Sequence, residues 1–299
     1  MYSIALIAID KVLPMLKALY GSIILLITTA LWGSSFIFIK LTVSNISGFS
    51  YTFYRTLISV VALTPIIILK YVRESLQRRG IVSGLVTGAS YFLGLLLQGI
   101  GTIHTSPSVS AFITGLNTVH VHVYSAFTKK RYSLMLFVSL VFAIVGLYMI
   151  TDPVNGLGFG EFMVFLGSIA WAAEILLVSK YAKEGVSRVE FLYGLLLPSL
   201  LLAPYVIIFE KTTNLSLTTW VYLTYLALVC TLFAVLLQII GQKYVSEATA
   251  AIIYILEPVF AMIFSLIFYH EEITSRGVAG SILMLIASAI AVIDEICVK

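Results

Sequence analysis

Charge is what this chain of 299 residues lacks: Asp, Glu, Lys and Arg make up only 11% of it, as 14 acidic and 18 basic side chains. A soluble domain carries about 25%, and so few charges cannot coat a soluble protein of this length. Cysteine is nearly absent as well. Cys230 and Cys297 lie far apart with no C-x-x-C spacing, which argues against a disulfide framework or a structural zinc site. No G-x-x-x-x-G-K-[ST] occurs, so ATP-driven transport by this chain is not expected, and neither H-E-x-x-H nor G-x-S-x-G is present. There is no charged linker or low-complexity tail, and so no room for a soluble enzymatic domain. The apolar stretch Ile4 to Ile9 has no basic residue before it and no A-x-A site after it, so residues 1–17 read as an interfacial lead-in rather than a cleaved signal.

What is present is apolar: 60% of residues are hydrophobic and the mean hydropathy is +1.06. The chain is expected to be an all-α integral membrane protein with lipid as its main solvent. Its basic pI of about 8.9 then carries no implication of nucleic-acid binding. A membrane helix needs about 20 apolar residues, and charges punctuate the chain at about that spacing. Ten spans follow, at 18–39, 49–69, 80–102, 107–127, 133–151, 158–180, 189–209, 217–242, 248–269 and 275–293. The runs are continuously apolar, which excludes the alternating ten-residue segments of a β-barrel.

The basic residues set the orientation. With the N-terminus inside, 14 of the 18 fall on the inner side, only Lys40, Lys211 and Arg276 fall outside, and Arg55 lies within a span. Both termini are therefore expected in the cytoplasm, in a multi-pass protein of the plasma membrane. The sequons at Asn45 and Asn214 both fall on the expected outer face.

The two halves of the chain match each other. Trp32 and Trp171, Tyr54 and Tyr193, and Pro65 and Pro204 are each 139 residues apart. From Gln98 and Gln238 onward the offset is 140, as for Gly101 and Gly241 or Ser106 and Ser246, so one residue has been inserted. Two five-helix repeats follow, at 18–152 and 153–299. Five is odd, so the second repeat enters the membrane inverted. The loop Lys129-Lys130-Arg131 has His270-Glu271-Glu272 as its counterpart, an opposite charge character on opposite sides. Inverted repeats of this kind are typical of secondary transporters, with the substrate site near the midplane.

Trp32-Gly33-Ser34-Ser35-Phe36 with Lys40, then Arg55, then Thr105 through Ala111 to Leu116, resembles the first repeat of the EamA-type drug/metabolite transporters. Ser246-Glu247-Ala248, Leu256-Glu257-Pro258-Val259 and Glu271-Glu272-Ile273-Thr274 resemble the second. The resemblance implies a ten-helix basket that exports or exchanges small metabolites, often amino acids. Two positions depart from it: Thr118 stands where the family usually has Pro, and Lys130-Arg131 where it often has an acidic residue.

Ionisable groups inside a bilayer are costly and mark function by default. Glu257 sits near mid-depth on a face with Tyr254, and its repeat mate Asn117 shares a face with Thr114, with His120 at the edge. One reading is a central cavity lined by both faces; the other is hydrogen bonding between helices. Glu174, mid-span and one turn after Trp171, has Ser35 as its mate and no basic residue in its span at that depth. It fits a coupling proton, an amine of the substrate, or a neutral hydrogen bond. A lone His such as His120 is more often a packing residue than a titrating one. Arg55 lies about 9 Å below the outer surface at 1.5 Å per residue, where snorkelling is the first reading and a gate or carboxylate anchor the second. Trp32, Tyr91, Trp171 and Tyr193 are cavity candidates or packing aromatics. Gln98 and Gln238 read as caps, and Gly84 with Gly88 as a helix-packing pair.

The expectation is a secondary active transporter of small organic metabolites, working by alternating access, with a site between spans three, four, eight and nine and their neighbours. Its partners are the metabolite, membrane lipid and protons; no cofactor, no metal and no nucleic acid is implied, and monomer and homodimer both stay open. The alternatives are a passive channel and a membrane-embedded enzyme on lipid-linked substrates.

Overall fold

In lipid no water is at hand for the backbone, so each apolar run must satisfy its own N–H and C=O groups, as a helix does. The computed structural model describes residues 2–105, 107–128, 132–150, 158–210, 215–269 and 274–298, and every regular element among them is helical. Among the described residues eight helical stretches are long and apolar enough to cross a membrane, and Leu134–Met149 is a shorter apolar helix. The loops Lys129–Arg131 and His270–Glu272, the sequon at Asn214 and the expected repeat boundary at 152/153 lie outside the described residues.

α1 (Tyr2–Val43) is one helix, so the lead-in runs straight into the first span. α2 (Gly48–Arg73) and α3 (Arg78–His104) follow. The expected fourth span is instead two helices, α4 (Pro107–Gly115) and α5 (Asn117–Thr128). They meet in a tight turn, with Leu116 N–H donating to Ile113 O at 3.1 Å. α6 (Leu134–Ile150), α7 (Phe159–Lys183) and α8 (Arg188–Leu196) come next. Pro198 and Pro204, which have no N–H to donate, stand second in a 3₁₀ segment (Leu197–Leu202) and second in α9 (Ala203–Phe209), into which that segment leads. α10 (Leu217–Ala227) passes through a π-helical turn (Leu228–Phe233) into α11 (Ala234–Gln242). The expected ninth span is also broken, into α12 (Glu247–Tyr254) and α13 (Glu257–Tyr269), before α14 (Ser275–Val298).

The two breaks have different chemistry. At the second, Pro258 cannot donate to Tyr254 O, and Leu256 N–H turns to Ile253 O at 3.1 Å. At the first, Thr118 occupies the proline's place, and its hydroxyl donates across to Ala251 O at 2.9 Å. The breaks thus tie α5 to α12, and each starts a new helix on a polar residue, Asn117 or Glu257.

Close approach of backbones holds the bundle, as expected where lipid removes most of the hydrophobic drive between helices. α3 packs between α7 and α8, α6 lies along α14, and α1 runs past α11 and α13. A Cβ on Gly84 would lie 2.2 Å from Phe191 O, and one on Gly88 2.4 Å from Leu195 O, so this pair seats α3 on α8.

Polar latches gather at the two ends. At one, Lys70 Nζ lies 2.8 Å from Glu190 Oε2, Arg79 pairs with Glu184 at 2.6 Å and Lys183 with Glu247 at 3.4 Å. There α14 caps its neighbours, Asp294 accepting from Ser133 Oγ and Glu295 from Ser246 N, each at 2.8 Å. At the other end Glu210 accepts from the hydroxyls of Ser47 and Ser50. There too the Lys40 ammonium closes the end of α3, donating to Thr102, Ile103 and Thr105 carbonyls at 2.9, 3.1 and 2.9 Å. Bonds from a charged donor are worth about 1.5–3 kcal/mol each when buried, and Lys40 is only partly buried. Lys40→Met is therefore expected to cost about 2 kcal/mol in all, read as a lower unfolding midpoint in detergent; an unchanged midpoint would show that water serves these carbonyls equally well.

Candidate functional site

The broken helices point toward the middle of the bundle, and a cavity of about 50 Å³ lies there. At roughly 10–15 Å³ per water, the cavity has room for a few waters only. Both halves of the chain wall it. α1 contributes Trp32, Ser35 and Phe36; α2, Arg55; α3, Tyr91, Leu95 and Gln98. The α4–α5 break brings Thr114 and Asn117 on either side of its turn. From the second half come Trp171, Glu174 and Ile175 of α7, with Tyr254 and Glu257 flanking the α12–α13 break.

Arg55 does not snorkel. It is 3% exposed and is held by the π-helical turn, its Nε donating to Thr231 Oγ1 at 2.7 Å and its Nη2 to Cys230 O at 3.3 Å. Its Nη1 donates to Tyr51 OH, one turn earlier on α2. A π turn leaves carbonyls free of the regular ladder, and here Cys230 O also accepts from Trp32 Nε1 at 3.0 Å.

Two aromatic pairs lead away from this cation. Tyr91 OH donates to Thr231 Oγ1 at 3.4 Å, and its ring meets Trp171 edge-on, centroids 5.3 Å apart. Trp32, tied to Cys230, lies 5.1 Å from the ring of Tyr254. One turn beyond Trp171 stands Glu174, 2% exposed, its Oε2 accepting from Gln238 Nε2 at 3.0 Å. One turn beyond Tyr254 stands Glu257, at the head of α13. Its carbonyl would lie 2.8 Å from a Cβ on Gly33, so a residue without a side chain is needed to seat α1 against the second break. Among the described residues, Glu174 Oε1 and Trp171 Nε1 are buried with no hydrogen-bond partner. Unpaired buried polar atoms are rare and call for an explanation.

Ten of the twelve residues singled out from the sequence line this cavity: Trp32, Ser35, Arg55, Tyr91, Thr114, Asn117, Trp171, Glu174, Tyr254 and Glu257. His120 and Tyr193 do not. His120 turns to α7, its Nε2 3.2 Å from Ser168 Oγ and its ring edge-on to Phe165. Tyr193 packs on the core formed by α2, α3, α7 and α8. Leu95 and Ile175 carry no signal beyond being apolar, and Phe36 none beyond its place in the run from Trp32. Gln98 and Gln238 do not cap helix ends: Gln98 lines the cavity and donates to Thr114 Oγ1 at 3.2 Å, while Gln238 holds Glu174. Their pairing in the sequence repeat was the signal that could have placed them. Span eight reaches the site only through Gln238 and the partners of Arg55. Among the described residues, no group of three His, Cys, Asp or Glu side chains could hold a metal ion.

A family model described as the EamA-like transporter family matches twice, at residues 19–152 and 158–293. An uncharacterized transporter of Archaeoglobus fulgidus is 27% identical over 279 residues, covering 91% of this chain and 85% of that protein. A second from the same organism is 25% identical over 277 residues, covering 91% and 96%. The uncharacterized transporter YyaM of Bacillus subtilis is 24% identical over 251 residues, covering 78% and 81%. A solved structure described only as a crystal structure of a protein superposes with a TM-score of 0.73 at 15% identity, over 94% of this chain and 99% of that one.

Proposed function

The chain belongs to the EamA-like transporter family, and on that premise we propose that it is a secondary active transporter of small organic metabolites, amino acids or related compounds. It exports or exchanges them by alternating access, rocking one five-helix repeat against an inverted second one. In this reading the chain crosses the plasma membrane ten times, with the two broken helices counted as one crossing each and both termini in the cytoplasm. Family and relatives point to a transporter rather than an enzyme.

The observation that carries the proposal is the cavity walled by both halves, with one cation and two carboxyls among its lining residues. Ionisable groups at such depth are retained where they meet substrate or a coupling ion. Helices interrupted beside the site are a recurrent feature of transporters, because the freed backbone and the new helix ends face the cavity. The latches fit rocking. Lys70–Glu190 and Arg79–Glu184 join the two repeats at the end assigned to the cytoplasm, and Glu210 with Ser47 and Ser50 joins them at the other. Each cycle must open one set while the other holds.

The test is flux in proteoliposomes with and without a pH gradient. Glu174→Gln and Glu257→Gln keep shape and remove the titrating group. At least one is expected to lower flux about tenfold, equal to about 1.4 kcal/mol, and to flatten its dependence on the gradient. If both variants transport as the parent does, with the same pH dependence, the carboxyls are packing residues and the site is elsewhere.

A further inference from the structure

A second pocket, of about 290 Å³, lies at the end assigned to the cytoplasm, where the turn from α7 to α8 meets the end of α11. It shares no lining residue with the central cavity. Ala182, Val186 and Ile239 form its apolar lining, and Ser187, Arg188 and Lys243 its polar one. The turn sets this arrangement. Gly185 takes a φ of +73°, its N–H donates to Ala182 O at 3.3 Å, and Val186 N–H donates to Tyr181 O at 3.4 Å. This is the closing pattern of a helix that ends on a left-handed residue. The chain then starts α8 on Arg188, which shares the pocket with Lys243, the residue that ends α11. The acidic residues nearest in sequence each have a cation of their own: Glu184 has Arg79, Glu190 has Lys70 and Glu247 has Lys183. Among the described residues Arg188 and Lys243 have no such partner, and no carboxylate lines the pocket. Ser187 stands at the N-cap of α8 without capping it, its hydroxyl turned to Glu190 Oε2. The first-turn N–H groups of α8 therefore add to the same positive side.

We propose that this pocket binds the phosphate of an anionic membrane phospholipid, held by Arg188, Lys243 and the first turn of α8, with an acyl chain along the seam between α8 and α11. Basic pockets between membrane helices on the cytoplasmic side suit such headgroups, and one phosphate shared by two cations relieves their repulsion. The seam favours a lipid over a free phosphate ester. Val189 and Tyr193 stand one turn apart on α8, Leu236 and Ile240 one turn apart on α11, and each row leads from the pocket into the membrane. All four are half-buried, so each keeps apolar surface for a chain to cover. Val189, Tyr193 and Leu236 pack against one core. α8 packs mainly on α3 and α11 mainly on α1, so neither fills the seam. Charge selects among lipids: a zwitterionic headgroup offers the same phosphate but brings a further cation to a pocket that already has two. A lipid so bound ties the α7–α8 corner to α11 and braces the second half of the chain.

The experiment is thermal unfolding of the purified, delipidated full chain in detergent with ligand added in steps, since a ligand of the folded state raises its apparent stability. Three probes separate the contributions. Dioleoylphosphatidylglycerol has the anionic phosphate and the chains, dioleoylphosphatidylcholine has both and an added cation, and glycerol 3-phosphate has the phosphate without the chains. Phosphatidylglycerol is expected to raise the midpoint at concentrations at least about tenfold lower than phosphatidylcholine, a preference two surface cations can supply. Glycerol 3-phosphate is expected to have no effect over the same range. Arg188→Gln and Lys243→Gln are each expected to weaken phosphatidylglycerol about fivefold, and together to bring it to the level of phosphatidylcholine. Both side chains are exposed, so the variants keep the fold, and their midpoints without lipid check this. Arg78→Gln removes an exposed cation at the start of α3 that does not line the pocket; it is expected to leave the response unchanged. The proposal is overturned if the two lipids stabilise equally, if the double variant keeps the preference, or if Arg78→Gln weakens it as much as the pocket variants do. Glycerol 3-phosphate acting as well as the lipid overturns the lipid as occupant and leaves a site for free phosphate esters.

Discussion

Gly84→Leu is expected to yield no folded protein, or protein that unfolds on extraction into mild detergent. A Cβ at this position meets Phe191 O at 2.2 Å, and on its other sides Gly194 Cα and Leu195 N at 2.9 Å. All three are backbone atoms, so no side chain can swing aside. The facing glycine closes the trap: a Cβ on Gly194 would lie 2.3 Å from Ile81 O. Overpacking a core costs about 1–3 kcal/mol where side chains adjust, and more where they cannot. Here α3 and α8 must separate, and the contact that replaces hydrophobic drive between helices in lipid is lost. Gly84→Ala should show a milder form of the same loss. The measurement is the monodisperse fraction on size-exclusion chromatography together with the unfolding midpoint; a Gly84→Leu protein that elutes and melts like the parent would falsify the packing described here.

The second large effect concerns charge. Glu190 is fully buried, and its carboxylate accepts from Lys70 Nζ at 2.8 Å, from Ser187 Oγ and from Gln77 N at 3.2 Å. Lys70→Met leaves that carboxylate without its cation. Removing one partner of a buried pair costs about 3–5 kcal/mol. The Lys70 side chain is 23% exposed, so the lower part of that range, about 3 kcal/mol, is expected. Adding Glu190→Leu to Lys70→Met removes the stranded charge and should recover part of the loss. Thermal unfolding of the two variants side by side tests this, and a double variant less stable than the single one would sink the argument. The pair also joins α2 to α8 at the end opposite Glu210, which binds α9 to Ser47 and Ser50 at the start of α2. α2 of the first repeat and the α8–α9 arm of the second are therefore joined at both ends, and rocking of the repeats has to part the two ends in turn.

Much of this was legible in the sequence because charge is so scarce. Depth along an apolar run can be counted, so Glu174 and Glu257 stood out, and the repeat offset paired them with Ser35 and Asn117 before any fold was known. Azimuth around the helix was harder. Grouping His120 with Thr114 and Asn117 assumed one unbroken helix; the turn at Leu116 changes the phase, and His120 swings to Ser168. Pro258 could have flagged the second break. The first has Thr118 instead, so nothing in its local chemistry announced it. Arg55 departs from expectation for a different reason. Depth alone made snorkelling the simpler outcome, while the groups that hold the guanidinium, Thr231 and Cys230 O, come from another helix and from a turn with no sequence signature.

That turn bears on how the two halves stay alike. The spacing between matched residues steps from 139 to 140 between Pro65/Pro204 and Gln98/Gln238, and the π segment Leu228–Phe233 lies inside that interval. One extra residue in a regular α-helix rotates everything after it by about 100°, which would carry Gln238 away from Glu174. A single i→i+5 turn has room for one residue more than an α turn, so the wide turn takes up the insertion and the rest of the helix keeps its angular register. Deleting one residue from 228–233 is thus the shortening α10–α11 should tolerate best in length, at the cost of the carbonyl on which Arg55 and Trp32 converge.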